Sequence, residues 1–506
     1  MKKESEYAIG IDLGTGSCKI IIIDTSGKSL GFGSSDYFSS SNEASWTDQD
    51  PEFLFSVLIQ SLKSALEKPQ LPPEKCLGIS VGGALHSIMA IDSHHQPLSD
   101  VFTWADTRSK KQSQNLGTQI DTHAHYLTCG CPNHPMYPLS KIIWFREENK
   151  HLFDKTSKFI SAKEYILWKL TGEEVVDYAI ASGTGLLNIH SLNWDNESLS
   201  IAGITKNQMF NLREPTEKIG GLNKAVATLT GLRPNTPVYM GSADAVNSSL
   251  GAGTLTPDQL TCMVGTSGAI RTITNEPVLD HQERLWCYAI NKNYWISGGA
   301  INNGGLAISW LCDTFTQISN AGSPIGFDKI MRWAEDAPAG CDGVICLPFF
   351  SQERSPYWNP NMRAVFFGLS LNHSHTHIAR AVIEGIGFRL FSVLEVIQEV
   401  TRKEKYDIRA SGGFTKSEFW VQVLTDIFNQ NINIPTTGET SAVGAAFWVL
   451  ISSGVVKDLN ELDSFIEITR THYPNREVQA RYKQSYQVYK DIYFSMRNIY
   501  DKYSSV

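Results

Sequence analysis

The chain has 506 residues, a formal net charge of −8, 42% hydrophobic residues and 19% charged residues. This is the composition of a folded globular protein, and its length predicts about two large domains, because one hydrophobic core does not grow to this size. The absence of a Lys- or Arg-rich block argues against nucleic acid or a membrane as partner, and the absence of an apolar leader or of a long uncharged run predicts a cytoplasmic protein.

The first informative stretch is residues 7–24, in which two apolar runs flank a short turn rich in Gly and hydroxyl groups. Glycines let a backbone approach an anion, hydroxyls add donors, and the acid before the turn, Asp12, is suited to a metal ion that bridges phosphate oxygens. The stretch is neither a Walker loop nor a dinucleotide fingerprint, because a strand follows it where those motifs need a helix. An ordinary β-hairpin is the alternative interpretation.

Helical and strand-like segments alternate through the first half, which predicts an α/β protein. Residues 50–66 begin with Asp-Pro-Glu and predict a helix with an N-cap residue. Residues 77–81 predict a buried strand, and the turn 82–86 follows it. Residues 161–172 predict a second helix, because Ser at the first position and Glu three residues later form a capping box and Gly follows the last turn.

Asp244 lies three residues after the predicted apolar strand 238–241, separated from it by Ser and Ala, and directly before a helical segment. An Asp at such a boundary is most often a helix N-cap residue. The same position also suits a general base at the end of a strand. The residues alone leave both interpretations open.

The opening pattern returns at residues 260–273, where a Gly-Thr-Ser-Gly turn again joins two strand-like runs. Two such hairpins, half a chain apart, predict a duplicated architecture in which two α/β domains grip a nucleoside triphosphate. We expect the domains to be residues 1–250 and 251–506. A third Gly-rich turn at Gly412–Gly413 is assigned to adenosine, with a tight strand-to-helix turn as the alternative.

Two longer motifs resemble the FGGY family of carbohydrate kinases. The first is residues 136–148, MYPLSKIIWFREE, and the second joins AVFFGL at 364–369 to HIARAVIE at 377–384. The resemblance covers nearly the whole chain. It implies two ribonuclease-H-like domains of the actin-like ATPase type with a central cleft.

Within the family the chain looks most like gluconate kinases, at residues 84–87, 104–108, 133–136 and 294–305. This implies transfer of phosphate from ATP to a sugar acid, D-gluconate to 6-phospho-D-gluconate. Related xylulose and glycerol kinases usually have Gln after the catalytic acid, whereas Ala245 stands here. A xylulokinase or another ketose or polyol kinase is the alternative, and a non-catalytic sugar sensor or actin-like scaffold is the alternative from a different class.

The resemblance also implies residue roles, with ATP and Mg²⁺ as cofactors and a homodimer as a possible assembly. Asp244 would be the catalytic base, and Asp12 and Asp244 would orient the metal ion. The residues expected to contact the nucleotide are Gly14, Thr15, Ser17, Lys19, Gly265, Thr266, Ser267, Gly305, Ser309, Gly413 and Ser417. The residues expected to contact the sugar are His86, Trp104, Asp106, Arg108 and Asp244.

A bound sugar acid also needs a cation or several N–H donors for its carboxylate. Arg108, Arg271 and Arg354 are the candidates, and the sequence does not rank them. A structural ion pair is the alternative for each of them.

Overall fold

The computed structural model describes residues 6–37, 48–67, 70–319, 323–351, 353–436 and 438–503. The chain divides into two compact units. Unit 1 comprises Met1–Thr256, Ile273–Ser297 and Glu439–Ile466, and unit 2 comprises Pro257–Thr272, Gly298–Gly438 and Glu467–Val506. The chain therefore contributes three segments to each unit. The simpler division at residue 250 stays a prediction of the sequence.

The strands are β1 (Tyr7–Leu13), β2 (Ser17–Asp24), β3 (Ser29–Asp36), β4 (Asp48–Gln49), β5 (Cys76–Gly83), β6 (Met89–Ile91), β7 (Val101–Phe102), β8 (Lys158–Ile160), β9 (Val175–Asp177), β10 (Leu187–Asn188), β11 (Asn193–Trp194), β12 (Asn211–Arg213), β13 (Lys218–Gly221), β14 (Pro237–Tyr239), β15 (Gln259–Val264), β16 (Gly268–Thr274), β17 (Trp286–Ala289), β18 (Trp295–Ile301), β19 (Ile345–Leu347), β20 (Val365–Phe367), β21 (Asp407–Ser411), β22 (Ile432–Pro435) and β23 (Ile468–His472).

The α-helices are α1 (Pro51–Glu67), α2 (Lys110–Gln119), α3 (Thr122–Cys129), α4 (Pro138–Glu148), α5 (Lys150–Lys155), α6 (Ala162–Thr171), α7 (Tyr178–Ser182), α8 (Asn196–Ala202), α9 (Lys224–Thr230), α10 (Asp244–Gly251), α11 (Gly305–Ser319), α12 (Phe327–Asp336), α13 (His375–Thr401), α14 (Glu418–Phe428), α15 (Thr440–Ser452) and α16 (Arg476–Tyr503).

The main sheet of unit 1 has the strand order β13-β14-β5-β1-β2-β3. β1, β2 and β3 are antiparallel neighbours, while β5 pairs parallel with β1 and β14 pairs parallel with β5. β1 and most of β2 are buried, as expected for strands that are covered on both faces. The parallel strands direct their carboxyl ends to one edge, where the loops after β1, β5 and β14 meet.

The sheet of unit 2 repeats this arrangement. Its strands include the series β18-β16-β15-β21-β22-β23. β15 and β16 are antiparallel, β21 pairs parallel with β15, and β22 pairs parallel with β21. The predicted α/β class and the predicted duplication of the opening hairpin are both present in the structure.

The local predictions for α1 and α6 are confirmed. The Asp50 carboxylate accepts hydrogen bonds from the backbone N–H groups of the first turn of α1. α6 begins at the predicted capping box of Ser161 and Glu164 and ends at Gly172 in the left-handed conformation. β5 is longer than expected, because the two glycines assigned to the following turn pair in parallel with Asp12 and Leu13 of β1.

Two glycines bring α10 and α15 of unit 1 into backbone contact. A Cβ atom on Gly251 would lie 1.9 Å from the carbonyl oxygen of Thr440, and one on Gly444 would lie 1.9 Å from that of Asn247. No side chain larger than hydrogen fits at either position without displacing a helix. This contact holds the start of α15 close to the site described below.

Among the residues that the structure describes, no helix is both long enough and apolar enough to cross a membrane.

Candidate functional site

The first hairpin has the geometry that its sequence predicts. Asp12 of β1 pairs with Lys19 of β2, and Leu13 pairs with Cys18 beside the turn. The N–H of Gly14 donates to the Ser17 carbonyl at 3.0 Å and closes the turn. The residues of the turn are partly exposed, so their N–H and hydroxyl groups are accessible to a ligand. The turn is therefore built as an anion-binding loop would be.

Asp244 is the first residue of α10, and the N-cap residue of that helix is Ala243. The interpretation of Asp244 as an N-cap residue therefore does not describe the structure. The Asp244 side chain is partly buried, and its Oδ1 accepts a hydrogen bond from the N–H of Ala245 at 2.7 Å. Its backbone carbonyl accepts a hydrogen bond from the Ser441 hydroxyl at 3.5 Å. A catalytic role for Asp244 stays a prediction.

Asp12 lies near enough to Asp244 for their charges to interact. Burial, followed by the charge of Asp244, raises the pKa of Asp12 to about 7, although a hydrogen bond from Ser441 and the charge of Lys19 act in the opposite direction. Asp12 Oδ1 is buried and has no hydrogen-bond partner among the described residues. Two neighbouring carboxylates in this state favour a cation beside them.

This pair of carboxylates fits Mg²⁺. That ion commonly takes one or two protein carboxylates and completes its shell with water and substrate phosphates. The described part of the chain holds no cluster of three or more His, Cys, Asp or Glu side chains with metal-binding geometry. Asp12 and Asp244 are the residues that would hold the ion, either directly or through water, and this role stays a prediction.

The start of α15 adds two residues that the sequence analysis did not single out. Glu439 Oε2 accepts a hydrogen bond from Lys19 Nζ at 2.8 Å, and both side chains are about one-third exposed. The Ser441 hydroxyl donates to the backbone carbonyl of Asp244, and it also lies beside the Asp12 carboxylate and lowers its pKa, as described above. A sequence signal was available, because Glu439 follows β22 as Asp244 follows β14, but only the duplicated strand order makes the two positions comparable.

Trp104 connects the predicted sugar-binding segment to the first hairpin. Its indole Nε1 donates to Thr15 Oγ1 at 2.9 Å. Gly14 and Thr15 line a small cavity together with Trp104 and with Ala84 and Leu85, the residues that follow β5. Segments 90 residues apart in sequence are therefore neighbours at the phosphate-binding turn.

His86 is held in the left-handed backbone conformation, with φ of 65°. Its Nδ1 lies 2.7 Å from the Gly183 carbonyl oxygen, and since a carbonyl only accepts, Nδ1 carries the proton. The ring is 7% exposed and packs edge-on against Tyr137 and Tyr288. A left-handed conformation is unusual for a residue other than Gly and costs about 1–3 kcal/mol, so it is often found where function requires it.

Asp106 and Arg108 form a buried ion pair. The Arg108 guanidinium contacts both Asp106 and Asp48 and lies 3.6 Å above the ring of Phe102. The Asp106 side chain is fully buried and that of Arg108 is 5% exposed. This geometry favours a supporting role for both residues, and a direct contact of either residue with the sugar stays a prediction.

The other two candidates for holding a substrate carboxylate lie in unit 2. Arg354 Nε donates to Asn302 Oδ1 at 2.7 Å. Asn302 and Arg354 both donate a backbone N–H to the buried carboxylate of Glu353. Arg271 is buried on β16. The structure thus holds Arg354 in a defined network, and the choice among the three arginines stays open.

Unit 2 contains a cavity of about 680 Å³ at the carboxyl ends of its strands. Six of the seven residues predicted as nucleotide contacts in this unit line the cavity, and Ser267 does not. The Ser267 carbonyl accepts a hydrogen bond from the N–H of Gly265 at 2.9 Å and closes the turn. The six are Gly265, Thr266, Gly305, Ser309, Gly413 and Ser417. The sequence analysis missed the rest of the lining, which is Val264, Phe327, Asp328, Met331, Arg332, Phe414, Lys416 and Trp420.

The lining of this cavity differs from the first hairpin. The Ser309 hydroxyl donates to the Gly305 carbonyl of its own helix, and the Ser417 hydroxyl caps α14. Phe327 and Trp420 lie 5.9 Å apart, centroid to centroid. A Cβ atom built on Gly413 would meet nothing within 4 Å. Trp420 is 1% exposed, whereas Phe327 is partly exposed. The cavity therefore offers open backbone at Gly413 and part of the Phe327 ring, which suits a planar ring.

Comparison with known proteins now identifies the family. Residues 7–251 match the N-terminal domain of the FGGY family of carbohydrate kinases, and residues 260–452 match its C-terminal domain. The chain belongs to the FGGY family of carbohydrate kinases. The predicted family and the ribonuclease-H-like, actin-like ATPase fold are thereby confirmed, and the protein is an ATP-dependent sugar kinase.

Individual relatives include both gluconate kinases and xylulose kinases, so they do not determine the sugar substrate. The chain is 34% identical to a gluconokinase of Bacillus subtilis over 98% of this chain and 97% of the relative. The structure matches a gluconate kinase from Lactobacillus acidophilus with a TM-score of 0.93 and 31% identity, over 99% of this chain and 100% of that one. A xylulose kinase from the same organism matches with a TM-score of 0.92 and 31% identity, over 98% and 99%.

Proposed function

We propose that this kinase transfers the γ-phosphoryl group of ATP to D-gluconate and forms 6-phospho-D-gluconate. The observation that carries the proposal is the pair Asp12 and Asp244 beside the Gly-Thr-Gly-Ser turn, to which Trp104 of the predicted sugar-binding segment is hydrogen-bonded. The gluconokinase relative, which aligns over nearly the whole chain, supports gluconate as the acceptor.

Phosphoryl transfer passes through a loose transition state, so positioning and charge neutralisation matter more than a strong base. The acceptor oxygen forms the new bond to phosphorus as the bond to the β-phosphate oxygen breaks, and the hydroxyl proton passes to the Asp244 carboxylate. The Thr15 N–H and the hydroxyl groups of Thr15 and Ser17 bind the phosphate oxygens, while the N–H of Gly14 closes the turn. A general base of this kind contributes a factor of about 10²–10⁴ in rate.

Asp12 and Asp244 hold Mg²⁺ in this proposal, and the bound ion neutralises charge on the phosphate oxygens. Burial and then the charge of Asp244 raise the pKa of Asp12 to about 7, so a cation beside the two carboxylates would be stabilising. Lys19 reaches the same region but is paired with Glu439, so binding a phosphate with Lys19 requires that ion pair to open.

The cavity of unit 2 receives the adenosine part of ATP in this proposal. The partly exposed ring of Phe327 and the open backbone at Gly413 support a planar base there. Thr266 and Gly265 lie in the second hairpin at the same cavity. The N–H of Gly265 closes the turn, and Thr266 supplies its N–H and hydroxyl groups as donors for the phosphates.

A second acceptor is supported by a specific observation. A xylulose kinase structure matches this chain at the same 31% identity as the gluconate kinase structure. Ala245 weighs against xylulose, because related xylulose kinases usually place an amide next to the catalytic acid. A cytoplasmic location and a homodimer remain sequence-based predictions.

A coupled assay of ADP release over gluconate, xylulose, ribulose, fuculose, rhamnulose and glycerol tests the acceptor. We expect the highest kcat/KM with gluconate. Activity confined to one of the neutral sugars would reject gluconate and keep the kinase. ATP-driven filament formation without any sugar requirement would favour the scaffold alternative.

A further inference from the structure

Lys141 is a fully buried lysine whose amine contacts two loops of unit 1. It lies on α4, within the first of the two long sequence motifs, and is 0% exposed. Its Nζ donates to the carbonyl oxygen of His86 at 3.0 Å and to that of Thr103 at 2.6 Å. A buried amine is stable only when polar partners replace its water, and these two carbonyls provide them.

The two carbonyls belong to the two segments that carry the predicted sugar contacts. One is the carbonyl of His86 itself, whose left-handed conformation needs bonds to hold it. The other is Thr103, which directly precedes Trp104, the residue that donates to Thr15 of the phosphate-binding turn. A single amine therefore sets the distance between the His86 loop, the Trp104 loop and, through Trp104, the first hairpin.

The surroundings of Lys141 are consistent with this arrangement. Burial lowers the pKa of Lys141 to about 7, while the nearby carboxylate of Asp106 acts to raise it and Arg108 to lower it. Arg108 is itself held by Asp48 and Asp106. Lys141, Asp106, Arg108 and Asp48 therefore form one buried polar cluster next to the predicted sugar-binding residues. Within this cluster, Lys141 makes the hydrogen bonds to the carbonyls of His86 and Thr103.

We propose that Lys141 is the positioning residue of the acceptor site: its amine holds the backbone of His86 and of Thr103–Trp104 at a fixed spacing. Lys141 does not touch the sugar. This inference rests on the proposed function, since it assumes that His86 and Trp104 form the acceptor wall. Its failure remains distinguishable, because the wild-type enzyme establishes the acceptor first.

The decisive variant is Lys141→Met, which keeps an unbranched apolar stem and removes the donors. We expect the KM for the acceptor that the wild-type enzyme prefers to rise roughly 10- to 100-fold, because misplacement of substrate contacts by about 1 Å costs this much. The KM for ATP should change by less than about threefold. A purely structural role would lower the amount of folded enzyme and leave the acceptor KM unchanged, which would overturn the proposal.

Lys163→Met is the matched control. Lys163 is also buried in unit 1, but its Nζ donates to the Asp177 carboxylate at 2.6 Å rather than to a loop carbonyl. Both variants should lower the unfolding temperature, and only Lys141→Met should raise the acceptor KM. An equal rise in both variants would contradict a specific role for Lys141.

Lys141→Gln provides a second measurement. Its amide keeps two N–H donors on a side chain about as long as that of Met, so we expect an acceptor KM between those of the wild-type enzyme and Lys141→Met. If Lys141→Met does not fold, Lys141→Gln decides alone, and a wild-type acceptor KM in that variant overturns the proposal. Failure of both variants to fold also counts against it. A wild-type enzyme that phosphorylates no sugar would reject the proposed function.

Discussion

The two hairpins of this kinase share a backbone and differ in their side chains. β1–β2 and β15–β16 are both antiparallel, each flanked by a parallel strand, and each turn is closed by an N–H of its first Gly. Beside the first turn, Asp12 faces Lys19, whereas beside the second turn Met263 faces Ala269. The fold thus supplies backbone donors twice, while the charged chemistry is present in one copy.

The loops after the neighbouring strands show the same difference. After β5 of unit 1 the chain places His86 in a strained, tightly bonded conformation, whereas after β21 of unit 2 it places Gly412 and Gly413 next to an open cavity. One copy is therefore suited to directional contacts with a hydroxylated acceptor, and the other to accommodating a flat ring.

The largest expected effect comes from Asp244, the acid that distinguishes unit 1. Asp244→Asn removes the proposed proton acceptor, so kcat should fall by about 10²–10⁴. ATP affinity, measured by calorimetry, should remain near that of the wild-type enzyme. Glu439→Gln is the control, because Glu439 takes the corresponding place after β22 but pairs with Lys19, and its effect on kcat should be much smaller. Retention of most turnover in Asp244→Asn would remove Asp244 as the base.

The charged residue Asp12, which only the first hairpin has, should make the free energy of unfolding depend on pH. Its pKa is raised from 3.8 to about 7, mainly by burial, so ionisation of Asp12 destabilises the native state increasingly from about pH 4 and fully above pH 7. Without nucleotide and metal, Asp12→Asn should therefore be more stable than the wild-type protein at pH 8, by about 1–4 kcal/mol, and equally stable at pH 4.

Urea unfolding at both pH values measures this difference. Met263→Leu, at the corresponding position of the second hairpin, should show no pH-dependent change relative to the wild-type protein. A lower stability of Asp12→Asn at pH 8 would show that the Asp12 carboxylate is favourably paired in the free enzyme.

The proposed adenosine cavity of unit 2 is tested by placing a larger side chain in it. Gly413→Leu places a side chain where no protein atom lies within 4 Å of the new Cβ, but in the cavity lined by Phe327 and Trp420. The KM for ATP should rise roughly 10- to 100-fold, equivalent to about 1–3 kcal/mol, while the unfolding temperature stays unchanged. Gly326→Leu, also without neighbours within 4 Å and outside the cavity lining, is the control. An unchanged ATP KM in Gly413→Leu would place the nucleotide elsewhere.

The smallest effect is expected from the bond between the acceptor segment and the first hairpin. Trp104→Phe loses the donation to Thr15 Oγ1, which is worth about 0.5–1.5 kcal/mol. Acceptor kcat/KM should fall roughly 2- to 10-fold. Trp194→Phe loses a comparable bond, to the Phe210 carbonyl, and should leave kcat/KM unchanged. If acceptor kcat/KM were the same in both variants, Trp104 would not belong to the acceptor site.

The sequence predicted the local elements well where a short pattern has one physical solution. The capping box at Ser161, the Gly172 stop and both hairpin turns are formed by residues within a few positions of each other. The conversion of two expected turn glycines into the end of β5 was missed, because only pairing with β1 extends that strand.

The candidate site was predicted less completely. Arg108 was named as a sugar or carboxylate contact, but its pairing with Asp48 joins positions 60 residues apart and has no local signal. Glu439 and Ser441 were missed for the same reason, and so was the aromatic lining at Phe327. These residues become neighbours only when helices and strands pack.

The sequence by itself determined the family and the duplicated hairpins, and it predicted the residue types that contact phosphate, because these depend on short patterns of Gly, hydroxyl and acidic residues. Only the tertiary structure decided which charged side chains become neighbours and how strongly burial shifts their pKa values. The raised pKa of Asp12, the left-handed His86 and the amine of Lys141 between two loops all arise from burial next to distant segments. Desolvation and charge interaction depend on distance in space, and the order of residues along a chain does not contain that distance.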